Sequence, residues 1–372
     1  MKTLLFFTII SCLYFKILLV LLFSASTTTA TQPYYKAIFN FGDSLSDTGN
    51  SLLSSTTTDV PTVGKLPYGM TFFRHPTGRF SDGRLIVDFI AEAFEFPYLR
   101  PYLEIADTQN DFLRGVNFAV GGATALSLAS NFWTNNSLSV QLGWFKKFKA
   151  SFCTKIEDCE NFMKRSLFLM GEIGGNDYNF PFFSGGTIPQ VRELVPLVVE
   201  AITNVTIALI EEGAVDLVVP GNLPIGCSVV YLTLFESSNK TDYDEIGCLK
   251  ALNEFSKLHN RHLKRALQTL RLKYPHTNII YGDYYHATMR IINAPLHYGF
   301  DKKSLFRACC GGGGSYNYNL SVTCGEDGST VCEDPSLYVS WDGVHLTEAA
   351  YQVMAESLID SLSLTTTSLV TI

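Results

Sequence analysis

The sequence of 372 residues lacks several arrangements that would direct its reading elsewhere. No Gly-x-Ser-x-Gly pentapeptide occurs, so there is no nucleophile elbow of the α/β-hydrolase kind. No Cys-x-x-Cys pair occurs among the nine cysteines, which argues against a zinc site. Gly311 to Gly314 is not followed by Lys-Ser/Thr and is not a phosphate loop; its flanking cysteines make it a loop pinned by disulfides. There is no basic block, and the net charge of −7 disfavours nucleic acid, anionic membranes and anionic substrates. Linkers and internal repeats are missing, and low complexity is confined to the Ser/Thr runs at 54–58 and 365–368.

What is present begins with Met1-Lys2, an apolar stretch from Leu4 to Phe23 and small polar residues from Ser24 to Thr31. This is the layout of a secretory signal peptide over residues 1–30, cleaved within about 25–30. A membrane anchor is the competing reading, but Lys16 interrupts the run and shortens its core to Ile17–Phe23. No later stretch is read as long and apolar enough to span a bilayer. Residues 31–372 are expected to form one domain, destined for the extracellular space or apoplast, with the vacuole as the other destination.

Cys12 leaves with the signal, and the remaining cysteines are even in number, as expected of a disulfide framework in a secreted chain. Proximity favours Cys153 with Cys159 and Cys227 with Cys248. The order among Cys309, Cys310, Cys324 and Cys332 stays open. Asn135, Asn204, Asn239 and Asn319 stand in glycosylation sequons.

Short apolar runs bounded by Gly, Pro or Asp read as buried strands at Lys36–Phe41, Ser166–Met170, Val215–Val219 and Asn278–Tyr281. Helical patterns cover Arg84–Phe94, Val140–Phe152, Gln190–Glu212, Leu249–Tyr274 and Glu348–Ser361. This alternation predicts an α/β fold with a parallel sheet covered on both faces, and ligands on such a sheet bind beyond the carboxyl ends of its strands.

The residues able to carry chemistry fall there. Ser44 follows the first strand, and Asp342 and His345 share a loop before the last helix. A serine hydroxyl needs a base to become a nucleophile, and an imidazole needs a carboxylate to hold its tautomer. Acyl transfer also needs fixed N–H donors for the developing oxyanion, and two glycine-rich segments, Asn117–Ala123 and Gly174–Asp177, could supply them. Asp43 and Asp177 beside these groups read as turn-stabilising carboxylates. His259 and His262 have a metal-compatible spacing but read as a solvated helix face, and Trp341 reads as a wall of the site.

Four blocks carry a resemblance: Phe41-Gly42-Asp43-Ser44-Leu45-Ser46-Asp47-Thr48-Gly49-Asn50, Asn117 to Ala123, Gly174-Gly175-Asn176-Asp177 and Asp342-Gly343-Val344-His345. In this order they resemble the GDSL esterase/lipase family of SGNH hydrolases. Pro76-Thr77-Gly78-Arg79-Phe80-Ser81-Asp82-Gly83-Arg84 and Cys309-Cys310-Gly311-Gly312-Gly313-Gly314 are similar to its plant secreted branch, in particular the sinapine esterase and acetylajmalan esterase subgroup. The likeness covers nearly all of residues 34 to 360.

The resemblance implies a three-layer α/β/α, flavodoxin-like fold with a central, mainly parallel sheet. It implies Ser44 as nucleophile, His345 as base and acid, and Asp342 as its orienting carboxylate. The implied oxyanion donors are the N–H of Ser44, the N–H of Gly122 and the side-chain amide of Asn176; spacing alone does not rank Gly122 above Gly121. The expected protein is a secreted, monomeric serine esterase with no cofactor and no metal, acting on small specialised-metabolite esters or lipids. An acyltransferase using the same residues and a binding protein with a dormant site are the alternatives.

Overall fold

The structure is a computed structural model, and it describes residues 35–55, 60–104, 113–127, 136–153 and 155–370. The expected signal peptide, its cleavage region and the Asn135 sequon lie outside the described residues.

Five parallel strands form the central sheet: β1 (Ala37–Asn40), β2 (Gly115–Asn117), β3 (Ser166–Leu169), β4 (Asp216–Pro220) and β5 (Asn278–Gly282). Their order is β2-β1-β3-β4-β5. Ile38 of β1 registers with Gly115 on one side and Leu167 on the other. Strands covered on both faces carry apolar residues in succession, as Ala-Ile-Phe of β1 and Leu-Val-Val of β4 do.

The helices used below are α1 (Ile86–Ala93), α2 (Leu138–Phe152), α3 (Gly175–Phe183), α4 (Val195–Glu211), α5 (Lys250–Lys273), α6 (Tyr284–Asn293) and α7 (Glu348–Val370). Successive strand residues point to opposite faces. Phe39, Phe168 and Leu217 therefore share a core with Phe145 of α2, Val198 of α4 and Leu263 of α5. Leu169 and Val218 turn the other way, toward Ile86 and Ile90 of α1, Tyr284 of α6 and Leu358 of α7. The result is the three-layer α/β/α arrangement.

The expected strands are all found, and β2 is an addition. The expected helix over 190–212 is two helices, Ile188–Arg192 and α4, because Pro196 has no N–H to continue the ladder across the junction. By length and composition alone the segment Ile188–Glu211 is long and apolar enough to cross a membrane, contrary to the expectation that no later stretch qualifies. Val195, Val198, Ile202 and Leu209 are nevertheless buried in the core, so much of its apolar surface is spent inside the molecule.

The eight cysteines pair as Cys153–Cys159, Cys227–Cys248, Cys309–Cys332 and Cys310–Cys324. The last two resolve the open order and pin the glycine loop, whose strand β6 (Cys310–Gly311) pairs antiparallel with β7 (Thr330–Val331).

The chain leaves β1 toward β2 on one side and continues through β3 to β5 on the other. A crevice opens where the order reverses, beyond the carboxyl ends of β1 and β3.

Candidate active site

Ser44 lies at that reversal, in a turn held by Asp43. The Asp43 carbonyl accepts the Ser46 N–H at 3.1 Å, and its Oδ1 accepts the Leu45 N–H at 3.0 Å. The turn can start sharply because Gly42 has φ +128, where a Cβ would meet the Glu172 carbonyl at 2.8 Å. Asp43 thus stabilises the turn, as its position suggested.

His345 approaches from the loop before α7. Its Nε2 is 2.8 Å from Ser44 Oγ, and its Nδ1 is 2.7 Å from Asp342 Oδ2. The loop folds on itself because Asp342 Oδ1 accepts the N–H groups of Val344 and His345, at 3.0 and 2.8 Å. Gly343 allows the tight reversal at φ +95. The ring of Phe80 lies 4.8 Å from the imidazole, centroid to centroid. Burial alone would raise the Asp342 carboxyl, but the charge of His345 and the hydrogen bonds from His345 and Val344 bring it down to about 2. The three residues expected to act together are therefore one hydrogen-bonded line.

Of the oxyanion candidates, Asn176 lines the crevice together with Ser44. Gly121 donates its N–H to Asp47 Oδ2 at 2.8 Å. Gly122 follows at φ +77. The Asn176 amide, in the first turn of α3, donates to Ala123 O at 3.0 Å and to Asp43 Oδ2 at 3.2 Å. Asp177 binds the N–H groups of Ala125 and Leu126, at 2.8 and 3.0 Å, tying α3 to this loop.

Two residues at the site had no motif to announce them. Glu172 follows β3, is buried and lines the crevice beside Asp43. Burial, then the charge of Asp43, pushes the Glu172 carboxyl well above the usual carboxylate range, and burial also raises Asp43. Between the two, the interaction favours the protonated form at Glu172 and the charged form at Asp43. The other is Gln141 of α2, whose side chain binds the backbone of Gly42.

Two expectations are corrected. His259 is only 1% exposed and bonds Tyr178 through Nδ1 at 2.8 Å, so it belongs to the core and not to a solvated face. Burial lowers its pKa to about 4, which keeps the ring neutral. Trp341 is fully buried against Tyr68 and the cysteine cluster, and does not wall the site. Among the described residues no group of three or more His, Cys, Asp or Glu could hold a metal ion.

The crevice opens to solvent, and with the solvent at its mouth it takes in about 840 Å³. Ser44, His345 and Asn176 lie on it with apolar Leu45, Leu223, Ile225 and Val229 and polar Asn179, Asn222 and Tyr231.

This fold and this crevice define a hydrolase acting on carboxylic esters. The chain belongs to the GDSL-like lipase/acylhydrolase family, whose model matches residues 38–358. It is 54% identical over 337 residues to a GDSL esterase/lipase of Arabidopsis thaliana, covering 87% of this chain and 90% of the relative. It is 48% identical over 337 residues to the sinapine esterase of Brassica napus, covering 88% and 85%. A phospholipase A1 from Streptomyces albidoflavus NA297 aligns at 13% identity and TM-score 0.38 over 88% of this chain and 98% of that one, too loosely to bear on the argument.

Proposed function

We propose that residues 31–372 form a single-domain, secreted serine esterase that works through an acyl-serine intermediate on Ser44. The observation that carries this reading is the line Ser44 Oγ, His345, Asp342, with spacings of 2.8 and 2.7 Å, at the edge of the crevice. Ser44 Oγ attacks the ester carbonyl while its proton passes to His345 Nε2. Asp342 holds the imidazole and offsets the positive charge that forms. The tetrahedral adduct expels the alcohol, which takes that proton. Water then attacks the acyl-serine with the same base, releasing the acid and restoring Ser44.

The oxyanion is held by the N–H groups of Ser44 and Gly122 and by the Asn176 amide, which turns from its longer bond, the one to Asp43.

The substrate class is a small specialised-metabolite ester, acetyl or phenolic. The relative named sinapine esterase supports this reading, as does an apolar crevice with a few amide and hydroxyl groups. Four disulfides support passage through an oxidising compartment and an extracellular location. Asn204, Asn239 and Asn319 are exposed, as glycan acceptors must be.

The test is Ser44→Ala against short p-nitrophenyl, acetyl and hydroxycinnamoyl esters. Turnover should vanish with the circular dichroism unchanged, and turnover that persists would refute the reading. Adding candidate alcohols separates hydrolysis from acyl transfer, because a transferase yields a new ester in preference to free acid.

A further inference from the structure

Tyr68 follows the short turn Thr62–Gly64, in a part of the chain that holds none of the four sequence blocks. It is 4% exposed, and its ring packs edge-on against Trp341 with centroids 5.9 Å apart. Its hydroxyl donates to Asp342 Oδ2 at 2.9 Å. That is the same oxygen that meets His345 Nδ1, while Oδ1 is taken by the N–H groups of Val344 and His345. A carboxylate offers about four acceptor sites, so Tyr68 completes the set.

We propose that Tyr68 is a positioning residue for ester hydrolysis, fixing the Asp342 carboxylate and setting through it how firmly His345 holds its proton. The inference rests on the reading of Ser44, His345 and Asp342 as the catalytic set.

Packing alone would be served by phenylalanine, because the ring fills a pocket of Trp341, Val63 and cysteine side chains. The hydroxyl adds a bond to one oxygen of one carboxylate. Burial, followed by the charge of Asp342, pushes the phenol well above its ordinary range, so it remains a donor at every working pH. The other titratable groups facing this unit are Asp43 and Ser44 from the nucleophile turn, Tyr318 from the loop between β6 and β7, and Tyr351 from α7. Glu326 acts on Tyr68 from a distance. Among the described residues, Tyr68 alone of these tyrosines donates a hydrogen bond to Asp342.

Removing the hydroxyl leaves more negative charge on Oδ2 toward Nδ1–H. An imidazolium facing that oxygen keeps its proton to higher pH. The carboxylate also gains freedom to turn, so fewer encounters find the base aligned. Tyr68 does not line the crevice, so substrate binding is untouched.

The experiment uses the full, disulfide-intact protein, with active sites counted by a fluorophosphonate. For Tyr68→Phe on a short p-nitrophenyl ester, kcat per titrated site should fall about tenfold with KM within about twofold. The acid limb of kcat/KM, followed from about pH 5 to 9, should move up by roughly half a unit. Placing 3,5-difluorotyrosine at position 68 keeps the shape and strengthens the donor, and should move the limb down. A Tyr68→Phe protein with lowered thermal stability but an unmoved acid limb and unchanged titrated kcat would make Tyr68 a packing residue and overturn the inference. Wild-type turnover that survives Ser44→Ala would strike the underlying catalytic set instead.

Discussion

Gln141 clamps the peptide of Gly42 from 99 residues away: its Oε1 accepts the Gly42 N–H at 2.9 Å and its Nε2 donates to the Gly42 carbonyl at 2.8 Å. The clamped residue is two positions before Ser44, so a side chain in the first turn of α2 sets where the nucleophile turn begins.

Gln141→Leu keeps the volume and deletes both bonds. The Gly42 carbonyl still receives the Val120 N–H at 3.1 Å, but the buried Gly42 N–H is left without a partner. An orphaned group of this kind costs about 1–3 kcal/mol. Urea unfolding should show that loss, and kcat should drop with it as the turn relaxes. A variant with wild-type stability would mean that the clamp is idle.

Asn176→Ala tests the oxyanion assignment. Loss of one such donor lowers kcat by about 10²–10³, with little effect on KM. Steady-state kinetics with a p-nitrophenyl ester checks this, alongside the rate of fluorophosphonate labelling, which should fall in parallel. A variant whose kcat stays within a factor of two would remove Asn176 from the site.

Stability should rise as pH is lowered from 8 toward 5. Burial raises Asp177 to about 7 and Asp47 to about 6, against the backbone N–H groups that each accepts. Both titrate near 3.9 when unfolded, so the folded chain binds these protons more tightly. Their contribution is complete below about pH 4 and is lost as pH rises through 6 and 7. Asp342, held at about 2, works in the opposite sense: its contribution is present above about pH 4 and fades as pH falls toward 2. Thermal melts should therefore peak in mildly acid buffer, and Asp177→Asn should flatten the slope between pH 5 and 8. A melting temperature that climbs from pH 5 to 8 would contradict the assignment.

The layered fold was legible because four of its strands are short apolar runs and its long helices carry clean periodicity. β2 was not, because three residues beginning with Gly115 are too few to show a period. α3 escaped because its first residue is Gly175 and Pro181 lies inside it, both of which read as breakers. Ser44, Asp342 and His345 stood out through motif and chemistry. Glu172, Gln141 and Tyr68 could not, since each is an ordinary residue whose meaning comes from a partner distant in sequence or, for Glu172, from burial beside one. Polar clamps of this sort leave no spacing signature.

The 301-residue interval between Ser44 and His345 also bears on how the protein is made. A ribosome delivers the nucleophile turn early and its proposed base among the last segments. Just ahead of that base, Cys309 and Cys310 hydrogen-bond through their N–H groups to the carbonyls of Ser340 and Trp341, in a stretch that two late disulfides must close. A partly synthesised chain therefore carries Ser44 without the His345 and Asp342 that the folded protein brings to it. On the proposed reading, hydrolytic competence arrives only when translation has delivered that last loop, so the cell's own esters meet no half-built enzyme along the way.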